Sequence, residues 1–60
     1  MMTTPLLDVV YDALASGCLS MAQERRLGQL LSTRSFEDIE IAAIEWLMDA
    51  LRYGNVRPVA

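Results

Sequence analysis

Two glycine stops divide this chain and leave it little choice but helices. Gly17 and Gly54 stand 37 residues apart. Each closes a run with apolar residues at helical spacing, and each is followed two places later by an aliphatic side chain, Leu19 or Val56. The surrounding segments echo one another: residues 12–20 read DALASGCLS and residues 49–57 read DALRYGNVR. Acidic residues four apart precede each stop, Asp8 with Asp12 and Glu45 with Asp49. A glycine after a helix supplies the left-handed residue that reverses the chain, and the aliphatic residue beyond it folds back on the last turn, a Schellman-type end. The echo is either convergence on a common stop signal or a half-repeat. A half-repeat requires Val56 to pack as Leu19 does, and both readings require order through Val56.

Start signals complete the punctuation. Thr4 is placed to cap a first helix, with Pro5 at its first position, where the missing N–H costs nothing. Leu6, Leu7, Val10 and Leu14 follow at helical spacing up to Ser16. Ser20, with Gln23 three residues on, has the capping-box spacing and opens a second helix over about 21–31. In it Met21, Leu27, Leu30 and Leu31 supply apolar contacts, and Gly28 is expected to mark the close approach of a neighbouring helix rather than a hinge. Ser35 is expected to cap a third helix over about 36–53, with Glu37 and Asp38 in its first turn, where the macrodipole favours anions. Pro58 bars further helix, leaving a short extended tail. The expected fold is all-α: a single domain over 1–60, a three-helix bundle with a short extended C-terminal tail.

The third segment is the most apolar, with 12 of its 18 residues hydrophobic. On a helical wheel Phe36, Ile39, Ala43, Trp46, Leu47, Ala50, Leu51 and Tyr53 cover close to half the circumference, opposite a narrow stripe of Asp38, Glu45, Asp49 and Arg52. So wide an apolar face predicts contacts on several sides and makes this helix the expected spine of the fold. A chain of 60 residues buries only about 60% of its unfolded surface and is marginal alone. Part of that face is therefore expected to serve a second subunit, with Phe36, Glu40, Trp46, Leu47 and Tyr53 as interface residues. Glu40 lies on the apolar side, where a lone carboxylate is costly, so an ion pair with Arg25, Arg26 or Arg34 is expected.

Composition narrows the chemistry. The chain has no His, all five cations are Arg, and Cys18 is the one cysteine. Histidine catalysis, lysine Schiff bases, multi-cysteine zinc sites and an internal disulfide are thereby excluded. Cys18 reads as a small core residue; only Arg25 and Arg26 could make it a reactive thiol. The acidic pairs Asp8–Asp12 and Glu45–Asp49 read as solvated faces; receiving arginines from another chain is the alternative. Metal binding would require further oxygen ligands. No cofactor and no enzymatic activity are expected. Net charge is −3, and the third helix, which would have to read DNA in a helix-turn-helix regulator, carries five acidic residues against Arg52. Phosphates would repel it, so a DNA-binding regulator is the weaker alternative. The longest aliphatic run, Ile41 to Ile44, is far too short to span a bilayer, and no leader pattern opens the chain. The expected partner is a second copy or another small protein, with no nucleic acid and no membrane, in the reducing cytoplasm.

The order of these signals resembles that of small helical cyanobacterial proteins of unknown function. The matching residues are Leu14, Gly17, Leu19 and Ser20, then Arg25, Arg26, Leu30 and Leu31, and finally Leu51, Gly54, Val56 and Val59, across roughly residues 9–59. The pattern has basic residues just before the final glycine, where this chain has Arg52-Tyr53. The resemblance implies an all-helical cytosolic protein and supplies no mechanism.

Overall fold

A computed structural model describes residues 4–32 and 35–59. Along the chain lie α1 (Pro5–Ser16), β1 (Cys18–Ser20), α2 (Met21–Leu31), α3 (Asp38–Arg52) and β2 (Arg57–Val59). The protein is mostly helical, with one small parallel sheet.

The starts of α1 and α2 follow their caps. The Thr4 hydroxyl accepts the Leu7 N–H at 3.2 Å, ahead of Pro5. Ser20 Oγ accepts the Gln23 N–H at 3.1 Å, while Gln23 Oε1 accepts the Ser20 N–H at 2.8 Å. The third helix starts later than its sequence suggests, at Asp38 instead of 36, and its N-cap is Glu37, not Ser35. The reason is Glu40, whose Oε1 accepts the Glu37 N–H at 3.0 Å and so satisfies one of the donors that every helix start leaves over. Phe36 falls outside the helix, half-buried against the core.

The two glycine stops close differently. Gly17 (φ 75°) donates its N–H to Ala13 O at 2.9 Å, the single bond of an αL closure. At the second stop Gly54 (φ 81°) donates to Leu51 O at 3.3 Å and Asn55 donates to Ala50 O at 2.8 Å, the paired bonds of a Schellman closure. Both routes bury the aliphatic residue beyond the glycine, and Leu19 and Val56 share one core cluster. The two copies are not equivalent in the sheet, however. Arg57 N–H reaches Gly17 O at 3.0 Å, and Cys18, Leu19 and Ser20 pair in parallel with Arg57, Pro58 and Val59. The tail is thus a β-strand hydrogen-bonded to the residues after α1, where sequence alone suggested only an extended end.

The spine is α1, not α3. Its Leu6, Leu7, Val10 and Ala13 join Ala43, Leu47 and Ala50 of α3, with Leu19 and Val56, in one buried cluster. Both α2 and α3 pack on α1. The second helix lends only partial cover through Leu27 and Leu30 and has no fully buried residue. Gly28 is exposed, and a methyl group placed on it would meet nothing within 4 Å. The expected close approach of a neighbouring helix at this glycine does not occur, because α2 turns its other side to α1.

A candidate interaction surface on α3

The core uses only one sector of α3, with Glu40, Ala43, Leu47 and Ala50 buried and Ile44 and Leu51 half-buried beside them. Large apolar side chains remain outside on both flanks of that sector. Ile39, Trp46 and Tyr53 occupy one flank, with exposures of 54%, 59% and 74%. They stand seven residues apart, and since seven residues fall only ~20° short of two full turns, the three make a nearly straight ridge. The small Ala42 lies within the same ridge, also exposed. The opposite flank carries Ile41 and Met48, again exposed and seven apart. Between the flanks, away from the core, run Asp38, Glu45, Asp49 and Arg52, all exposed.

The residues expected at an interface therefore separate into two groups. Trp46 and Tyr53 stand in solvent beside one another on the ridge, whereas Leu47, 2% exposed, is held in the core by α1. Glu40 is 3% exposed and caps its own helix, and Phe36 packs on the core from the connection before α3. These three are thus committed largely inside the chain and leave the ridge to others. A helical wheel drawn from hydropathy merges a core sector with an adjoining outer ridge, which is why Leu47 and Trp46 looked alike. Ile39 and Ala42 were missed as surface residues, although the spacing Ile39–Trp46–Tyr53 was there to be seen. Of the expected partners of Glu40, Arg25 and Arg26 are exposed on α2, and Arg34 lies outside the described residues.

The remaining candidate groups have ordinary surroundings. Asp12 accepts the Gln23 Nε2–H at 2.7 Å and ties α1 to the capping box of α2, so one member of the first acidic pair has a structural partner. Asp8, Glu45 and Asp49 are exposed. Cys18 is half-buried at the start of β1, its Sγ 3.6 Å from Ser16 Oγ. Among the described residues no three carboxylate or cysteine side chains gather as metal ligands, no pocket opens, and no helix is long and apolar enough to cross a membrane. What stands out is a surface, not a cavity. Comparison with protein-family models, with curated proteins and with solved structures gave no match to this chain.

Proposed function

We propose that this protein is a non-enzymatic interaction module, a homodimer joined through the exposed ridge of α3. The observation that carries the proposal is the position of Trp46: a large aromatic side chain, 59% exposed, between exposed Ile39 and Tyr53 on a helix whose core sector is already filled. Tryptophan and tyrosine are the side chains that most often dominate association energies, because they bury much area at a small entropy cost. A contiguous apolar patch on a small chain marks a contact surface or an aggregation hazard. In this reading each protomer is a small three-helix bundle that hides its remaining apolar surface by pairing, and the cytoplasm is the compartment that suits its single thiol. Sedimentation velocity over the micromolar range tests it: the mass should rise with concentration from one chain to two. A particle of 6.7 kDa at every concentration would end the proposal.

A further inference from the structure

We infer that the ridge of α3 takes an arginine-bearing segment of another protein, with one arginine seated on Asp49 between Trp46 and Tyr53. The inference rests on reading this ridge as a contact surface, as the dimer does, but it does not require the dimer. Asp49 stands three residues after Trp46 and four before Tyr53. On a helix those spacings make it a neighbour of both rings, with about 5–6 Å between Cβ atoms. The other residues of α3 at the same spacings from either ring are Ala42, Ala43 and Ala50. Alanines leave the ring faces uncovered, so one carboxylate is the polar group beside two open aromatic side chains. Asp49 is itself exposed. Among the described residues no side-chain hydrogen bond engages it, and no ion pair joins it to Arg52 or any other cation.

Chemistry selects the occupant. An aromatic face attracts a cation through its quadrupole, and a carboxylate pairs with one. A planar guanidinium does both at once, stacking on a ring while its edge donates to oxygen, which a hydrated lysine ammonium does not. The charge of the surrounding face agrees, since Asp38 and Glu45 lie beyond Asp49 with Arg52 as the one exposed cation of α3. A second copy complements this face less well, because a two-fold contact centred on Trp46 gathers Glu45 and Asp49 of both copies. A basic segment replaces that repulsion with attraction over the same apolar area. Its apolar residues, a helical turn from the arginine, cover Ile39 and Ala42 as the partner helix does in other helix-on-helix recognition. The segment and the second copy use the same side chains and so exclude one another.

Trp46 is the chain's one tryptophan and lies in the site, so its emission reports occupancy. The probe is an amphipathic helical peptide of leucine, alanine and arginine, free of aromatic residues. It is titrated into the full-length chain at ~1 μM, where a weak dimer is largely dissociated. Trp46 emission should shift to the blue and saturate with a dissociation constant of ~10–100 μM. The same peptide with citrulline for arginine, similar in shape but uncharged, should bind about tenfold more weakly. Asp49→Asn should weaken the arginine peptide by about as much. Asp8→Asn, which removes an exposed carboxylate of α1, should leave its affinity unchanged. Equal binding of the citrulline and arginine peptides overturns the inference. So does equal weakening by Asp8→Asn and Asp49→Asn, which marks a general attraction to an acidic surface, and so does an unchanged emission up to ~1 mM peptide. None of these results touches the dimer, which sedimentation of the chain alone decides. A chain that stays monomeric yet binds the peptide ends the dimer reading and leaves this one standing.

Discussion

Glu40 and Gly28 show how far a residue's environment departs from its chemistry on paper. A carboxylate on the apolar side of a helix invites a search for a cation across the fold, yet Glu40 also bonds three residues back, to the Glu37 N–H at the start of its own helix. That bond orients the buried side chain and fixes where α3 begins. Replacing Glu40 by Ala should cost about 0.5–2 kcal/mol in urea denaturation, since it removes the capping bond to the partly buried Glu37 N–H. Gly28 is the opposite case. Its backbone has no positive φ, its surroundings are open, and nothing in the structure needs a residue without a side chain there. Gly28→Ala should therefore raise stability by about 1 kcal/mol, the helix-propensity difference between the two residues. An unchanged or lowered denaturation midpoint would mean that α2 meets something at this position.

At the scale of elements, the glycine stops govern the layout. Both need left-handed backbone, which costs an L-residue about 1–2 kcal/mol. A Cβ on Gly17 would meet Asn55 O at an ordinary 3.6 Å and one on Gly54 would meet nothing, so no clash adds to the strain at either. Gly17→Ala and Gly54→Ala should then destabilise by similar amounts, about 1–2 kcal/mol each, read from denaturation midpoints at constant slope. Removing the buried side chain beyond a stop should cost more: Val56→Ala about 2 kcal/mol, from two lost methyl groups and the space they leave. The first two helices and their caps were legible in the sequence because caps and stops are local chemistry, written within four or five residues. The parallel pairing of β1 with β2 was not. Strands of three residues carry no period, and their pairing joins segments separated by α2 and α3. The central place of α1 was hidden for a related reason. Its apolar residues are fewer than those of α3, but they face inward from between two neighbours, and hydropathy counts do not record who surrounds whom.

For the whole molecule, the adjacent residues Trp46 and Leu47 separate folding from association. Leu47 is 2% exposed in the core shared with α1, and Trp46 is 59% exposed on the ridge. A domain of this size is stable by only about 3–9 kcal/mol, so Leu47→Ala, at about 2–5 kcal/mol, should lower the melting temperature at every protein concentration. Trp46→Ala should behave otherwise. Dimerisation stabilises the folded chain by mass action, by up to about 3 kcal/mol at a hundredfold excess over the dissociation constant. In a domain this small 1 kcal/mol moves the melting temperature by about 4–8 °C. The unmodified protein should therefore melt several degrees higher in concentrated than in dilute solution. Trp46→Ala should remove that dependence and melt close to the dilute-limit temperature throughout, because Trp46 is mostly exposed and is not among the buried residues of the core. Differential scanning calorimetry across a hundredfold concentration range reads both effects. A flat profile for the unmodified chain counts against the dimer. A uniform drop for Trp46→Ala would instead make the tryptophan part of the fold, and leave the ridge without its anchor.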